Sequence, residues 1–309
     1  MPRRDSSGSS SDDSQTKTVN LAMKVFYLDD DNNRMWVERC LKNEMYIAKY
    51  VKHQNVVLTL EVLKTTHHGY IFMQLGENGS IKSELFKQLK RPYTDGEAKE
   101  RFSGLLRGLH YLHSQNIVHR DLKLDNFLLT EKNVPMIGDF GFSARAKIKD
   151  IVLTQLHKKT ICGTKGYMAP EMFPGVKADF LNGGSSHHHR SRGQDQQPGQ
   201  GQQGQPSSDW AGYDGKKLDV YAMGVCLFEM LQLRKPFEDE TTKETMAMIA
   251  AHQVHYHHGG ADVEEAAKEL IASMTAFKPE DRPSAEEALK HRWITGHGHF
   301  VSALISRFS

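Results

Sequence analysis

The chain has 309 residues, of which 25% are charged and 38% hydrophobic, as in a globular protein with an ample core. Its 40 basic and 38 acidic residues leave a formal net charge of +2, so charge alone indicates neither a nucleic-acid partner nor an anionic membrane. The start of the chain has no apolar signal segment, and its longest apolar run, residues 220–228, is too short to span a bilayer. Three scattered cysteines without CxxC spacing predict a reduced protein of the cytoplasm or nucleus.

The first part of the chain combines a polar tail with strand and helix patterns. Residues 1–17 are rich in Ser, Asp, Arg and Gly, which predicts a disordered tail. Apolar and β-branched residues predict a strand over 19–27, and helical spacing predicts a helix over 35–52. Two further strands are predicted at 56–63 and 70–75, joined by a Thr-Thr-His-His-Gly turn.

From residue 81 onward the pattern is mainly helical. Apolar stripes predict helices over 97–114, 217–231 and 261–274, and Ser284 with Glu287 forms a capping box at a final helix. A Gly-, Gln- and His-rich tract, about residues 181–210, has no core-forming residues and predicts an insertion that loops out of the fold. Strands with one helix, followed by helices, predict an α+β fold with a small β-rich lobe on a larger helical lobe.

The most specific group of reactive side chains is His-Arg-Asp-Leu-Lys-Leu-Asp-Asn at 119–126, followed by Asp-Phe-Gly at 139–141. An Asp, a Lys and an Asn within six residues suit a loop that holds a nucleophile and a cation, and phosphoryl transfer depends mainly on positioning and charge neutralisation. In this interpretation Asp121 accepts the proton of a substrate hydroxyl and Lys123 offsets charge on the transferring phosphate. Asn126 and Asp139 hold Mg²⁺, which prefers oxygen ligands.

These two segments resemble the catalytic and magnesium loops of eukaryotic serine/threonine protein kinases. Residues 163–171, Gly-Thr-Lys-Gly-Tyr-Met-Ala-Pro-Glu, are similar to the family's substrate-docking segment, which includes Thr164, and Asp219 is similar to the residue that caps the catalytic loop. The resemblance implies a bilobal kinase fold with ATP and Mg²⁺ between the lobes, and transfer of the γ-phosphate to Ser or Thr hydroxyls of protein substrates. It also implies a buried pair between Glu171 and Arg282.

The same resemblance places a nucleotide site in the small lobe. Lys24 corresponds to the lysine that contacts the α- and β-phosphates, and Glu44 in the following helix is its expected ion-pair partner. The residues expected around adenine are Met73 beside the ring, the backbone groups of Gln74 and Gly76 at its edge, and Ala22 with Leu128 on its two faces. The alternatives are a surface lysine, a solvated helix glutamate and ordinary core positions, but Asn55-Val-Val57 after Lys52-His53 supports the resemblance and favours the ion pair.

Details of the motifs indicate a branch of the family and a regulatory site. Lys123 and Thr164 follow the serine/threonine pattern rather than the tyrosine-kinase pattern, and residues 213–219 and 289–293 are similar to the calcium/calmodulin-dependent and AMP-activated branch. An arginine at the position of Arg120 commonly binds a phosphate on the activation segment. Thr160 matches the usual phosphosite, which implies an upstream activating kinase. Residues 142–161 carry several basic side chains, and a solvated face is the commoner meaning of such a run of charge.

One part of the family pattern is missing, namely the glycine-rich loop that closes over the ATP phosphates. Only 23 residues precede Lys24, and they contain the single glycine Gly8. The interpretations are a truncated chain, a kinase with a degenerate phosphate lid, or a pseudokinase that acts as a scaffold through partners. The intact Lys24, Asp121 and Asp139 favour a truncated or weakly catalytic kinase. The predicted division is tail 1–17, small lobe 18–75, large lobe 76–293 and C-terminal tail 294–309.

Overall fold

The computed structural model describes residues 20–28, 34–145, 166–172, 214–237, 248–249, 251, 254–256 and 263–296. The predicted tail at 1–17, the insertion at about 181–210, Thr160 and Thr164 lie outside these residues, as does most of the predicted C-terminal tail. The same holds for most of the chain before Lys24, so the missing glycine-rich loop and the domain boundaries stay predictions.

The small lobe is a three-stranded antiparallel sheet covered by one helix. The strands are β1, Leu21–Tyr27, β2, Thr59–Lys64, and β3, His68–Gln74, in the order β1–β3–β2. Helix α1, Arg34–Tyr50, packs Val37, Cys40 and Leu41 against the apolar face of this sheet. At Gly69 of β3 a Cβ atom would lie only 2.6 Å from the Leu41 side chain, so the glycine allows the helix to lie close to the central strand.

The strand predicted at 56–63 is divided between two partners, which corrects that prediction. Strand β2 begins only at Thr59. Val56 instead forms a parallel bridge with Ile137, and the Val57 amide donates to the Ile137 carbonyl at 2.8 Å. The β-branched residues at the start of the pattern therefore join the small sheet to the rest of the molecule rather than extending the sheet.

The remainder of the described chain is mainly helical. Helix α3, Asp95–Ser114, starts at a capping box formed by Thr94 and Glu97, and the predicted box of Ser284 and Glu287 is confirmed. The other helical elements are α2, Ile81–Ser83, a π-helical segment, Glu84–Leu89, α4, Gly215–Gln232, α5, Glu265–Met274, α6, Ala285–Leu289, and α7, Arg292–Thr295. Short 3₁₀ turns cover Leu124–Asn126, Pro170–Met172 and Pro279–Asp281. The predicted helices are thus present, with small shifts of their ends.

Two short antiparallel ladders surround the predicted catalytic loop. Strand β4, Ile117–Val118, pairs with β7, Ala144–Arg145, and strand β5, Phe127–Leu129, pairs with β6, Pro135–Ile137. These strands are not predicted from the sequence, because strands of two or three residues carry no measurable alternation. They fix the start and the end of the two loops that carry the reactive side chains.

Helix α4 lies at the centre of the large core, and all its residues from 218 to 231 are buried. It packs with α3 and α5 in one apolar cluster. Because a buried polar group is costly without a partner, the Asp219 and Glu229 side chains of this helix must be hydrogen-bonded. A small antiparallel sheet with a mainly helical remainder confirms the predicted α+β class. In the described part of the chain, no helix combines the length and apolar composition needed to cross a bilayer.

Candidate active site

The predicted catalytic loop is fastened to α4 by the Asp219 carboxylate. The backbone amides of His119 and Arg120 donate to Asp219 Oδ2 and Oδ1, each at 2.8 Å, and His113 Nε2 lies 2.9 Å from Oδ2. Arg120 has a φ of 66°, a left-handed conformation that costs a non-glycine residue on the order of 1–3 kcal/mol. The two amide bonds to a buried carboxylate hold this conformation, so the predicted capping role of Asp219 is confirmed.

Three of the predicted catalytic residues form one hydrogen-bonded group. Lys123 Nζ lies 2.8 Å from Asp121 Oδ2, and Asn126 Nδ2 lies 3.1 Å from the same oxygen and 2.8 Å from the Asp121 carbonyl. Among the described residues, Asp121 Oδ1 and Asn126 Oδ1 have no hydrogen-bond partner. The arrangement orients one carboxylate oxygen and leaves the other able to accept a proton.

Asp139 follows the short ladder of β5 and β6 and has a left-handed backbone with a φ of 63°. The His119 side chain packs against its loop. Nε2 of His119 lies 2.9 Å from the Gly138 carbonyl oxygen, and the His119 ring makes an edge contact with buried Phe140 at 5.1 Å between ring centroids. Because the Asp121 amide donates to His119 Nδ1 at 3.3 Å, Nε2 is the protonated nitrogen that donates to Gly138. The catalytic loop and the Asp-Phe-Gly loop are therefore one packed unit.

The expected ion pair between Lys24 and Glu44 is not formed, and this corrects the sequence prediction. Lys24 Nζ instead lies 2.7 Å from Asp139 Oδ1. Burial, opposed by the charge of Lys24, raises the pKa of Glu44 to about 7, and this carboxyl group accepts the Phe140 amide at 3.2 Å. Burial also acts to raise the pKa of Asp139, but the charge and hydrogen bond of Lys24, with smaller effects of His119 and the Gly141 amide, lower it below its ordinary value. Lys24 is thus paired with the carboxylate that stays ionised.

A single cleft collects most of the predicted nucleotide-binding residues. Those that line it are Ala22, Lys24, Glu44, Met73, Asn126, Leu128 and Asp139, together with the unpredicted Met23, Val57, Thr59, Asp125, Gly138 and Phe140. Gln74 and Gly76 are not among the lining residues. The Gln74 amide donates to the Leu58 carbonyl at 2.8 Å, so any adenine contact of Gln74 has to use its carbonyl. The Gly76 amide has no acceptor among the described residues.

The oxygen atoms in this cleft suit Mg²⁺ held jointly with phosphates. Asn126 directs its amide nitrogen to Asp121, which leaves its amide oxygen as a ligand, and Asp139 Oδ2 has no hydrogen bond within the described chain. Mg²⁺ commonly takes only one or two protein oxygens plus phosphate oxygens and water. In the described residues no group of three or more His, Cys, Asp or Glu side chains could hold a metal by itself. Asn126 and Asp139 therefore fit a metal that arrives with a nucleotide.

Two side chains hold the backbone that follows Asp139. Asn43 Nδ2 donates to the carbonyls of Gly141 at 3.2 Å and Ser143 at 2.8 Å. The Arg120 guanidinium donates to the carbonyls of Phe142 at 2.7 Å and Ser143 at 3.3 Å. The role of Asn43 was not predicted from the sequence. The available signal was an asparagine inside a helix, a position where its side chain competes with the backbone and is disfavoured.

The predicted pair of Glu171 and Arg282 is confirmed. Arg282 Nη1 and Nη2 lie 2.7 and 2.8 Å from the two carboxylate oxygens of Glu171, and the arginine also donates to the carbonyls of Ala276 and Phe277. Because both charges are buried, removal of either partner would leave the other charge unpaired. Elsewhere on α4, buried Glu229 binds Lys82 and Tyr167, which ties the described part of the docking segment to this helix.

The chain matches the family model described as "Protein kinase domain" over residues 9–183 and 210–294. It is 31% identical over 254 residues to the probable serine/threonine-protein kinase CCRP1 of Zea mays, and this alignment covers 82% of this chain and 34% of the maize protein. It is 29% identical over 264 residues to the calcium/calmodulin-dependent protein kinase type 1 of Macrobrachium nipponense, and this alignment covers 84% of this chain and 64% of the relative.

A third relative is the calcium/calmodulin-dependent protein kinase type 1B of Mus musculus, 28% identical over 276 residues, with 88% of this chain and 67% of the relative covered. The chain therefore spans about a third of the length of the maize relative and about two thirds of the length of the other two.

Proposed function

This chain belongs to the protein kinase domain family, and we propose from that membership and from the arrangement of Asp121 that it is a protein serine/threonine kinase. The reaction transfers the γ-phosphate of ATP to a Ser or Thr hydroxyl of a protein substrate. The observation that carries the proposal is the oriented Asp121 carboxylate, fixed through Oδ2 by Lys123 and Asn126, next to the cleft that contains Asp139 and Lys24.

Each residue has a role that follows from its contacts. Asp121 Oδ1 accepts the proton of the substrate hydroxyl as its oxygen bonds to the γ-phosphorus and the bond to ADP breaks. Lys123, 2.8 Å from Asp121, is close enough to offset charge on the transferring phosphate. Lys24 is the cation for the α- and β-phosphates, in a cleft whose faces are lined by Ala22, Met73 and Leu128.

Protein kinases use ATP with Mg²⁺, which neutralises charge on the phosphates. In this chain Asn126 and Asp139 are the proposed ligands, because each retains an oxygen without a hydrogen bond within the described residues. Gln74, through its carbonyl, and Gly76, through its amide, remain the proposed contacts for the adenine edge.

Substitution of Asp121 by Asn tests the proposal. The change keeps the shape of the side chain and removes its ability to take a proton, so phosphate transfer to a generic Ser/Thr peptide should fall by a factor on the order of 10² to 10⁴. Transfer is measured with radiolabelled ATP, and a folded state comparable to that of the wild type is checked by a thermal melt. Equal transfer by the two proteins would overturn the catalytic proposal.

The scaffold alternative is separated by the same assay. A pseudokinase would give no transfer above background in either protein, while it could still bind partners through its surface. Within the described residues no feature favours this alternative, since Lys24, Asp121, Asn126 and Asp139 are all brought to one cleft and its margin.

Regulation by phosphorylation of Thr160 remains a proposal, with Arg120 as the residue that binds the phosphate and Thr164 as a substrate-docking residue. Arg120 supports it, because its guanidinium already contacts the backbone at Phe142 and Ser143, where the predicted activation segment begins. A Thr160→Ala variant treated with an upstream kinase should stay at the activity of the untreated protein. Activation equal to that of the wild type would remove Thr160 from this role.

The partners and the compartment are likewise proposals. Kinase relatives support protein substrates, and we expect an upstream activating kinase but no nucleic-acid or membrane partner. Cys40 and Cys226 are free, buried thiols, as is usual in reducing compartments, so the cytoplasm or nucleus is the proposed location.

A further inference from the structure

Asn43 lies on α1 directly before Glu44 and faces the backbone that follows the Asp-Phe-Gly loop. Its Nδ2 donates to Gly141 O at 3.2 Å and to Ser143 O at 2.8 Å. Both neighbours are carbonyl oxygens, which only accept, so the amide nitrogen and not the amide oxygen must point to them. A single side chain of the small lobe thus holds two of the three carbonyls that follow Phe140.

The next contacts along this backbone complete the arrangement. Glu44 accepts the Phe140 amide at 3.2 Å, and Arg120 from the catalytic loop donates to Phe142 O and Ser143 O. Adjacent residues of α1 and one residue of the catalytic loop therefore engage four successive residues, 140–143. No other side chain of α1 makes a hydrogen bond to this loop within the described chain.

The backbone held in this way is strained immediately upstream. Asp139 has a φ of 63°, and such a conformation persists in a non-glycine residue only where the surroundings over-determine it. The Gly141 amide donates to Asp139 Oδ1 at 3.4 Å, so the residue whose carbonyl Asn43 holds also contacts the carboxylate. The carbonyl bonds from Asn43 are thus a direct restraint on the direction in which Asp139 presents its carboxylate.

We propose that Asn43 is a positioning residue that sets the affinity of the Asp139 and Asn126 site for Mg²⁺ with bound nucleotide. The inference rests on the proposed function for the identity of the metal and the nucleotide. Asn43 does not contact the metal. It acts through the Gly141 and Ser143 carbonyls, and residues that orient metal ligands in this way typically change metal affinity by about 10- to 100-fold when removed.

Three variants separate a lost donor from a changed shape. Asn43→Asp keeps the shape and cannot donate to a carbonyl, Asn43→Ala removes the group, and Asn43→Gln keeps the donor on a longer side chain. Lys42→Ala is the matched control, because Lys42 is the preceding residue of the same helix and is exposed. We expect the Asp and Ala variants to need roughly tenfold more Mg²⁺ for half-maximal ADP binding, the Gln variant to recover part of this loss, and the control to match the wild type.

Equilibrium binding of a fluorescent ADP analogue over a Mg²⁺ titration, and again in EDTA, measures the effect without any phosphate transfer. A shift in the Mg²⁺ midpoint with unchanged binding in EDTA supports the positioning role. An unchanged midpoint overturns it, and so does an equal loss of binding with and without Mg²⁺, which would indicate general distortion.

A second readout uses no ligand and remains informative if the wild type proves to bind no nucleotide. Amide hydrogen exchange in the ligand-free protein should be faster in peptides that cover residues 139–145 of the Ala and Asp variants, and unchanged in α3 and α4. Uniform acceleration across the protein, or none in that peptide, would contradict the restraint. A wild type that transfers no phosphate would count against the proposed function. Asn43 variants that lose transfer while both of these readouts match the wild type would count against the positioning role of Asn43.

Discussion

Glu44 is the buried carboxyl group that borders the cleft from the small lobe. Burial raises its pKa to about 7 from an ordinary value of 4.5, although Lys24 lies near enough to oppose the shift. At neutral pH this side chain is therefore divided between its neutral and ionised forms. A residue expected to serve as a permanent anion is instead one whose charge depends on pH.

The stability of the protein should depend on pH through this group. In the native state Glu44 keeps its proton to a higher pH than in the unfolded chain. Its contribution to the free energy of unfolding is therefore fully present below about pH 4.5 and is lost as pH rises through about 7. Relative to a Glu44→Gln variant, the wild type should lose up to roughly 3 kcal/mol over this interval. Melting temperatures of both proteins between pH 4.5 and pH 8 measure the difference.

The control for this prediction is Glu61→Gln, which changes an exposed glutamate of β2 in the same lobe. The melting temperature of this control should change with pH in the same way as that of the wild type. If the melting temperature of the Glu44→Gln variant also followed the wild type at every pH, burial of Glu44 would not control its protonation.

Among the structural elements, α3 depends on glycine for its closest contact. A Cβ atom at Gly108 would lie 2.5 Å from the backbone oxygen of Asn55, and one at Gly104 would lie 2.6 Å from Pro135. Asn55 donates from Nδ2 to the Pro135 carbonyl at 2.8 Å, in the segment that leads from α1 to β2. The segment that joins α1 to β2 therefore packs against the glycine face of α3.

Alanine at these glycines should reveal the contact. Alanine is the better helix former by about 1 kcal/mol, but Gly108→Ala should lower the free energy of unfolding by about 1–3 kcal/mol, because a backbone oxygen has to move. Gly96→Ala, in the first turn of the same helix, meets no atom within 4 Å and should leave stability unchanged or slightly raised. Urea unfolding compares the two variants, and an equal response at both sites would contradict the packing argument.

The two lobes of the molecule are joined by backbone hydrogen bonds beside the cleft. The Val57 amide donates to Ile137 O at 2.8 Å, and the Ile137 amide donates to Asn55 O at 2.9 Å. The ion pair of Lys24 with Asp139, 115 residues apart in sequence, also joins the lobes, as do the contacts of Asn43 and Glu44 with residues 140–143. The cleft is thus bounded by groups from both lobes, and a ligand that fills it should stabilise the molecule as a unit.

A thermal melt with Mg-ATP tests this expectation. Binding to the native state alone adds about 2.7 kcal/mol at a ligand concentration one hundred times the Kd, so the melting temperature should rise by several degrees. Lys24→Met removes the proposed phosphate contact and should reduce the shift, as should ATP with EDTA in place of Mg²⁺. No shift for the wild type at millimolar Mg-ATP would mean that the cleft is not a nucleotide site.

Much of the fold could be predicted from the sequence, because regular elements repeat their pattern within a few residues. The strands at β1 and β3, helices α1, α3 and α4 and the Ser284 cap are visible as period, composition and spacing. The division of the 56–63 pattern was not visible, because a β-branched residue fits a sheet and an isolated bridge equally well. The short ladders around the loops were not visible either, because strands of two or three residues are too short to show an alternating pattern.

For the candidate site, the sequence predicts the chemistry, since Asp121, Lys123, Asn126 and Asp139 lie in two short segments whose spacing indicates phosphoryl transfer. Which charges meet depends on the tertiary structure. Lys24 pairs with Asp139, and Glu44 is buried with a raised pKa. Asn43 contacts residues 98 and 100 positions away. Desolvation and long-range packing depend on what surrounds a side chain in space, and the local pattern of residues does not record it.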